Sequence, residues 1–432
     1  MEKKITKEQN NLVYDKINTI SAPKTLHLTI TNSCNWDCVF CSAHSKKLDY
    51  YPTKTIKKVL DKIANSGVVS VNLYGGEPTL HPDFLDIGKY ARDLGLAVGF
   101  LSNGAKINEK NVATITDIFE AGTISIHGFK KTHERITKNK ASYYNTINAI
   151  SLLSDYGFNL GIATTVSTLN FFEFPKFIKY LYYNYPATNL FIINRASFTG
   201  DGQKYCLNPG EILDLVKRID ILNREYNIPI RLGVPTPPEL LTKDLRKYAS
   251  FCSAGTDFGN ILGNGDIKMC FSLAGSPSFG NILKTPLSEL WNADYLLKYR
   301  SFDWVDKKCK ICRFFYDCFC GCKRQLGGGY GVDKIIYEKS NDFFVLDKYT
   351  KKRLINGITA YSNLYSPTIL INDLNTCNLV DSLITPLTKL EIMCLAKKYG
   401  VNINEVDDLI DKLLDSRILK KVFRKDISCY DF

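Results

Sequence analysis

Three observations predict an α/β chain that begins as a partial (β/α)6 TIM-like barrel, continues into a small Cys-rich domain and ends in a C-terminal winged-helix-like α+β domain. Between residues 24 and 200, six short strand-type runs alternate with amphipathic stretches, the pattern of a parallel sheet with right-handed crossovers. Seven cysteines then fall within the seventy-one residues from Cys252 to Cys322. Beyond Gly327-Gly328-Gly329 the character changes again, to short strand-like pieces followed by helices. The expected segments are a lead-in at 1–23, the barrel at 24–234, the cysteine-rich domain at 235–330 and the last domain at 331–432. A chain of 432 residues suits two or three domains.

The six strands are read at 24–31, 68–74, 97–101, 123–126, 159–165 and 189–193. Between them, 55–65, 84–94, 110–120, 144–155 and 174–183 place apolar residues three and four apart, as a helix with one buried face does. Five βα units and a sixth strand stop short of eight. A helix over 211–226, a short strand at 228–232 and a turn containing Pro235, Pro237 and Pro238 complete this part.

Folds of this kind carry their chemistry in loops at the carboxyl ends of the strands. The loop after the first strand reads Thr31-Asn32-Ser33-Cys34-Asn35-Trp36-Asp37-Cys38-Val39-Phe40-Cys41, three thiols at C-x3-C-x2-C spacing. An iron-sulfur cubane takes four cysteine ligands, so three leave an iron open, as catalytic metal sites do for a cosubstrate. The competing readings are a zinc knuckle, for whose second ligand pair His44 is the only nearby candidate, and three unrelated buried cysteines. Gly75-Gly76-Glu77-Pro78 follows the second strand, Ser102-Asn103-Gly104 the third, and Ser125-Ile126-His127-Gly128 ends the fourth. Two glycines let backbone approach a ligand closely, and a carboxylate accepts from an ammonium group.

The C-x3-C-x2-C with Phe40 before its last cysteine, the phrase GGEPTLHP from Gly75 and the loop at Ser102 together resemble the radical S-adenosylmethionine (radical SAM) enzymes, over about residues 24–200. The resemblance implies a 4Fe-4S cluster on Cys34, Cys38 and Cys41, with its open iron chelated by the amino and carboxylate groups of S-adenosyl-L-methionine. It implies reductive cleavage of a sulfonium bond to a 5′-deoxyadenosyl radical. It places Gly75, Gly76 and Glu77 at the methionyl amino group, Ser102, Asn103 and Ser125 near the ribose and carboxylate, and Phe40 among the cofactor-binding residues. One departure stands out. Where the family follows a histidine with two arginines a position apart, this chain has His133-Glu134-Arg135-Ile136-Thr137-Lys138, with Thr137 at the second arginine position. Arg135 is the expected partner of the methionine carboxylate; Lys138, or hydroxyls with backbone, are the alternatives, and a surface salt bridge is the plain reading of Arg135. His127 stands where the family often has Asp and reads as a satisfied imidazole, while Asn194 and Arg195 close the sixth strand as further contacts to cofactor or substrate.

After Cys252 come twelve residues to Gly265, four to Cys270 and thirty-eight to Cys309, then Cys309-x2-Cys312-x5-Cys318-x3-Cys322, with Cys320 extra. With a strand-turn-strand around Gly263-Asn264-Gly265-Asp266 and the phrase Phe279-Gly280-Asn281-Ile282 leading to Leu290-Trp291, this layout resembles the SPASM extension of radical SAM enzymes, which binds one or two auxiliary iron-sulfur clusters. The resemblance assigns Cys252, Cys270 and Cys322 to the nearer cluster and Cys309, Cys312 and Cys318 to the outer one. Each set is one ligand short. The candidates for the fourth are Cys320, the distant Cys377, a non-cysteine group or none. A structural zinc ribbon from the C-x2-C and C-x3-C pairs is the alternative. Cys206, Cys394 and Cys429 read as ordinary apolar or exposed residues.

The last hundred residues place strands at 343–346 and 367–371, helices near 376–383, 387–399 and 403–415, and a closing run at 418–423. The run from Leu387 to Leu419 looks like the helical half of leader-peptide recognition domains, which add a peptide as a strand to an exposed sheet edge. Any three-helix bundle shares its periodicity. Taken together the resemblances imply an oxidoreductase of RiPP maturation: it abstracts hydrogen from a ribosomal precursor peptide and leaves a thioether, a carbon-carbon crosslink or an epimer. Sulfatase-type side-chain maturation is disfavoured by Phe271 after Cys270, where those relatives place Asp. Oxidation of a small molecule, and a non-catalytic iron-sulfur or zinc protein that binds peptide, are the other readings; the latter has no use for GGEP and Ser102-Asn103 at strand ends.

Hydrophobic residues make up 45% and charged residues 23% of the chain, as in soluble globular proteins. Neither a signal peptide nor an apolar run of spanning length is seen, so a cytoplasmic location and no membrane partner are expected. There, cysteines are thiols or metal ligands rather than disulfides. The net charge of +12 suits an acidic partner such as an electron-donating flavodoxin or ferredoxin, and equally describes a lysine-rich solvated surface. No dense basic patch with interleaved aromatics marks a nucleic-acid-binding face.

Overall fold

Seven strands lie side by side in sequence order, each parallel to the next: β1 (Thr25–Thr31), β2 (Ser70–Gly75), β3 (Ala97–Ser102), β4 (Ala121–Ser125), β5 (Leu160–Val166), β6 (Thr188–Arg195) and β7 (Ile230–Leu232). The computed structural model describes residues 21–41, 49–196, 200–270, 278–305, 307–310, 312, 314–322, 343–346, 351–355, 358–362, 369–384, 387–416 and 418–422. Residues 1–20 of the expected lead-in, His44, Phe271, Gly327-Gly328-Gly329 and Cys429 lie outside these described residues. Between the strands run α1 (Thr53–Ala64), α2 (Phe84–Asp93), α3 (Val112–Ile118), α4 (Lys130–Thr137), α5 (Ser142–Asp155) and α6 (Phe174–Asn184), and α7 (Pro209–Tyr226) precedes β7. Of these, α4 was not foreseen, because its eight residues, KKTHERIT, are nearly all polar.

Side chains alternate along each strand, and the two faces of the sheet meet different surroundings. Leu26, Leu28 and Ile30 of β1 are fully buried, as are Ile56, Val59, Leu60 and Ile63 of α1. Each such side chain contributes roughly 1.5–3 kcal/mol by leaving water. On β2, Val71 and Leu73 are buried while Ser70, Asn72 and Tyr74 are half-buried. Register carries this second face along the sheet: Asn72 lies beside Gly99, Leu101 beside Thr123, Ser125 beside Ala163 and Ala163 beside Ile192. A closed eight-stranded barrel fills that side with packed side chains. Here the sheet leaves it partly open and partly polar.

The sheet also extends beyond β1. β8 (Phe258–Leu262) runs parallel to β1, with Thr25 opposite Phe258 through Thr29 opposite Leu262, and β9 (Ile267–Lys268) turns back on β8. The order is β7-β6-β5-β4-β3-β2-β1-β8-β9. The expected strand-turn-strand is thus present, and it continues the sheet of the first strands. Thr29 Oγ1 donates to Asn260 Oδ1 at 3.1 Å across the join.

The chain forms two compact units, Met1–Lys334 and Ile335–Phe432. In the second, β10 (Phe343–Leu346), β14 (Leu387–Thr388) and β15 (Leu419–Val422) pair antiparallel in the order β14-β10-β15, and β11 (Lys351–Ile355), β12 (Ile358–Ser362) and β13 (Ile369–Ile371) in the order β11-β12-β13. With α8 (Leu374–Asp381), α9 (Lys389–Tyr399) and α10 (Ile403–Asp415) they enclose a core that includes Tyr361, Leu379, Ile392, Ala396, Val406 and Leu413. The β11–β12 hairpin was not expected, since Lys351-Lys352-Arg353 interrupts any apolar alternation.

Candidate functional site

The three-thiol loop leaves β1 at the carboxyl rim and is gripped by main chain from two directions. Gly76 N donates to Thr31 O at 3.0 Å and Glu77 N to Ser33 O at 2.8 Å. From α4, Thr137 O accepts from Asp37 N at 3.2 Å and Ile136 O from Val39 N at 2.9 Å. Cys41 N closes a turn on Cys38 O at 2.9 Å. Gly75 and Gly76 are glycines because these backbones touch. A Cβ would stand 2.3 Å from Thr31 O at Gly75 and 2.3 Å from Ser33 O at Gly76. The contact that excludes a side chain at both positions is thus with the chain entering the thiol loop.

Glu77 is 1% exposed. Its Oε1 accepts from Thr79 N at 3.1 Å, Thr79 Oγ1 at 2.5 Å and Ser102 Oγ at 2.7 Å, and its Oε2 accepts from Asn103 N at 2.6 Å. Ser102 Oγ accepts in turn from Gly104 N at 2.9 Å. Asn103 Nδ2 donates to Asn35 Oδ1 at 2.8 Å, inside the thiol loop. One carboxylate thus couples the loops after β2 and β3, and Asn103 carries the coupling to the residue beside Cys34. Burial pushes the Glu77 carboxyl above its usual range, and donors from Asn103, Thr79 and Ser102 oppose the shift. Four donors on two oxygens suit the ionised form.

Aromatic rings back the loop. Trp36 is buried edge-on to His133 at 5.4 Å, and Phe40 is edge-on to His127 at 5.0 Å. His133 Nδ1 accepts from His127 N at 3.1 Å, and His127 Nδ1 accepts from Thr165 N at 3.2 Å. Burial lowers His127 to about 3 and holds His133 well below the usual imidazole range, with His127 adding to the second shift. Both rings are therefore neutral and carry their proton on Nε2. Thr137 is fully buried: its Oγ1 donates to His133 O at 2.9 Å and shares a hydrogen bond with Ser142 Oγ at 2.7 Å. Its side chain fastens α4. Arg135 is exposed and donates to Leu169 O at 2.9 Å, in the loop after β5. Lys138, at φ 53°, pairs with Asp37 at 3.4 Å. Ser125 is half-buried at the end of β4, and Arg195 is buried with Nη2 at 3.4 Å from Pro235 O. Hydrogen bonds therefore join Glu77, Ser102 and Asn103 to the thiol loop, while the hydrogen bond of Arg135 goes elsewhere. Asn35, Thr79 and His133 also belong to this assembly: each lies inside a motif quoted above, in which only its neighbours were assigned a role.

In the cysteine-rich segment, Cys252, Cys270, Cys309 and Cys312 are half-buried, and Cys318, Cys320 and Cys322 are buried. Tyr299 is buried, and its hydroxyl is held well above the usual phenol range by burial first and then by the thiols of Cys252, Cys270, Cys320 and Cys322. Cys312 Sγ lies 2.9 Å from Glu239 Oε1, a carboxylate that sequence reading passed over. Cys377 belongs to the core of the second unit, its Sγ on Ile371 O at 3.8 Å. Among the described residues no three cysteine, histidine or acidic side chains stand together as a closed metal cage. Burial pushes the Cys34 thiol up to about 12 and raises Cys38 as well. Thiols so buried ionise when a metal takes the proton's place.

Three soft ligands in one tight loop, one short of a cubane's four and flanked by a Gly-Gly backbone in contact, fit an iron-sulfur cluster with an open iron. A parallel α/β sheet with such a loop at its carboxyl rim, joined to a second thiol-rich region, defines a class of iron-sulfur enzyme. Residues 28–181 match the model of the Radical SAM superfamily, and residues 252–318 match SPASM, an iron-sulfur cluster-binding domain. The chain belongs to the radical SAM superfamily, and as an enzyme of it uses a 4Fe-4S cluster with S-adenosyl-L-methionine and carries a SPASM auxiliary iron-sulfur domain. It is 25% identical over 331 residues to an AdoMet-dependent heme synthase of Methanosarcina barkeri, covering 71% of this chain and 92% of that protein. It is 24% identical over 326 residues to a PqqA peptide cyclase of Bradyrhizobium diazoefficiens, covering 71% and 83%. Streptococcus suis SuiB, solved bound to precursor peptide SuiA, shares the fold with a TM-score of 0.61 at 19% identity, over 76% of this chain and 79% of that one. Among the described residues no helix is long and apolar enough to cross a membrane.

Proposed function

We propose that this enzyme is a peptide maturase that takes hydrogen from a ribosomal precursor peptide, leaving a thioether, a carbon-carbon crosslink or an epimer. The observation that carries this reading is the union, in one chain, of the locked three-thiol rim, the cysteine-rich extension and a separate compact unit in which β11 and β13 are edge strands among the described residues. The PqqA peptide cyclase likeness supports it. Cys34, Cys38 and Cys41 hold the cluster, which with bound S-adenosyl-L-methionine supplies a 5′-deoxyadenosyl radical. The chain's own residues do the rest by position. Backbone at Gly75 and Gly76 faces the methionyl amino group. Glu77, Ser102 and Asn103 fix the loops that present it, Ser125 faces the ribose, Arg135 turns to the methionine carboxylate, and Phe40 on His127 keeps water from the thiol loop. The extension's cysteines hold the acceptor that removal of a second electron requires. In the second unit, a leader segment adds as a strand to an open sheet edge. An acidic flavodoxin or ferredoxin suits the +12 charge as electron donor.

A small-molecule substrate is the second reading, favoured by the likeness to a heme synthase over 71% of the chain. Anaerobic reconstitution of the wild-type chain beside a Cys34/Cys38/Cys41→Ala variant tests both. Expected are iron and sulfide in the wild type, loss of about four irons in the variant, 5′-deoxyadenosine from the wild type alone, and a mass or stereochemical change in a short peptide encoded beside the gene. Zinc in place of iron, or no deoxyadenosine, overturns the enzyme reading. Deoxyadenosine with every neighbouring peptide unchanged overturns the peptide.

A further inference from the structure

Reductive cleavage of S-adenosyl-L-methionine needs an electron from a partner, and the place where that partner docks can be read from charge and packing. We infer that the outer side of α4, with the first turn of α5, is the docking face for an acidic one-electron carrier protein that reduces the cluster of the thiol loop. The inference deepens the reading proposed above, which drew such a donor from net charge alone, and rests on it.

Two independent observations meet at this face. The first is charge. From Lys130 to Lys140 the chain carries five cations, Lys130, Lys131, Arg135, Lys138 and Lys140, against one carboxylate, Glu134. His133, Ile136 and Thr137 turn inward and are buried, which leaves all five cations exposed. Glu134 lies 3.9 Å from Lys130 and Asp37 3.4 Å from Lys138, while Glu173 accepts from Phe129 N at 3.1 Å and Thr132 Oγ1 at 3.0 Å. Cations remain in excess after these neighbours are counted. Such a patch raises the rate at which an oppositely charged protein arrives.

The second is a file of rings. Trp36, midway in sequence between Cys34 and Cys38, is edge-on to His133 at 5.4 Å; His133 meets Tyr143 at 6.3 Å, and Tyr143 meets Tyr144 at 5.9 Å. Trp36 and His133 are buried, Tyr143 is half-buried, and Tyr144 is 62% exposed with Lys130 Nζ 4.9 Å over its ring. Packed side chains thus run unbroken from the thiol loop to the cationic face. An exposed aromatic ring among cations is also the kind of residue that anchors an interface. Main chain keeps the face close to the cysteines: Thr137 O and Ile136 O accept from Asp37 N and Val39 N, on either side of Cys38. The eight residues of α4 span about 12 Å, so even Lys130 is little farther than that from this junction. The Gly-Gly loop grips the thiol loop elsewhere, through Thr31 and Ser33, so a carrier on α4 leaves free the ground proposed for S-adenosyl-L-methionine. The carrier gives one electron to the cluster and is itself oxidised by one; no bond is made or broken.

The test uses the reconstituted full chain with a flavodoxin and a ferredoxin, each of net negative charge, and with photoreduced 5-deazariboflavin as a small uncharged donor. Wild type, Lys130→Glu/Lys131→Glu, Tyr144→Ser and a Lys54→Glu/Lys58→Glu control on α1 are compared for carrier binding at low and high salt and for the rate of cluster reduction, with iron content and circular dichroism as checks. Glutamates in the first turn of α4 suit the helix dipole, so the α4 reversal keeps its fold. In that variant, binding of the carrier and reduction by it should fall by about tenfold at low salt, and the difference should shrink as salt screens it. Tyr144→Ser should weaken binding at both salts. The α1 control, with the same change of net charge, should match wild type, and reduction by deazariboflavin should be equal in all four. Equal losses in the α4 and α1 reversals, or none in either, overturn the assignment and leave the iron-sulfur reading intact. So does loss of precursor-peptide binding in the α4 reversal with carrier binding kept, which gives the face to an acidic peptide, and so does a wild type that only deazariboflavin reduces. A wild type that no donor reduces overturns the iron-sulfur reading as well.

Discussion

Glu77 takes four hydrogen bonds where water does not reach, and each donor belongs to a rim loop. Replacing one oxygen by an amide nitrogen sets donor against donor, so Glu77→Gln leaves a buried group unmet at a cost of about 1–3 kcal/mol. Denaturant unfolding of the metal-free chain reads that loss, and an unchanged midpoint would remove Glu77 from its coupling role. His127 gives a pH dependence at the same scale. Its folded value is about 3 against an ordinary 6.5. Below 6.5 the unfolded chain binds a proton that the folded chain refuses. Stability from this group is thus whole above 6.5 and falls as pH drops toward 3, by up to about 1.4 kcal/mol per unit. His133, with its ring 5.6 Å away and lowered by burial and by His127, adds in the same direction. The metal-free His127→Asn chain should show a shallower decline than wild type between pH 6.5 and 5; equal slopes would mean that His127 is charged in the fold. The thiols were legible in the sequence because spacing carries the chemistry of ligation. The network of Glu77 was not, because a carboxylate reads the same in sequence whether it meets solvent or four buried donors.

The thiol loop, the Gly-Gly loop and α4 act as one element, since main chain joins each to the next. Gly76→Ala tests the tightest point. A methyl 2.3 Å from Ser33 O cannot be relieved by a side-chain rotation, so one loop must move, at about 1–3 kcal/mol or more. The expected result is loss of about four irons and of 5′-deoxyadenosine formation, with the auxiliary iron retained. Full iron and full turnover would show that the loops separate freely. Thr137→Arg restores a family arginine yet puts a cation where the native side chain is fully buried and bonded to His133 O and Ser142 Oγ. It should destabilise the chain by several kcal/mol, read as a drop in melting temperature that Thr137→Ser does not share. Periodicity revealed the strands and most helices because burial of one face repeats along the chain. It missed α4, whose tertiary contacts hold a polar sequence helical, and the joining of β8 to β1, since pairing across more than two hundred residues leaves no local trace.

At the scale of the whole molecule, the second unit separates the peptide reading from the small-molecule one. Its strands β11 to β13 form a sheet in which β11 and β13 each have one strand partner among the described residues, and a bare edge is a template for an added strand. That unit has its own core of buried residues, from Tyr361 to Leu419, and the chain divides between residues 334 and 335. A chain ending at residue 334 should therefore keep iron at the three-thiol loop and make 5′-deoxyadenosine at the wild-type rate when reduced without peptide. With peptide present it should lose affinity for the precursor by tenfold or more, about 1.4 kcal/mol, and the missing affinity should lie in the precursor's leader segment, measured by titration of leader and core peptides separately. Equal affinity of the two chains would assign the second unit to another task and leave peptide capture, if it occurs, to the half-buried face of the sheet around Asn72, Thr123 and Ile192, where a small molecule would bind as well.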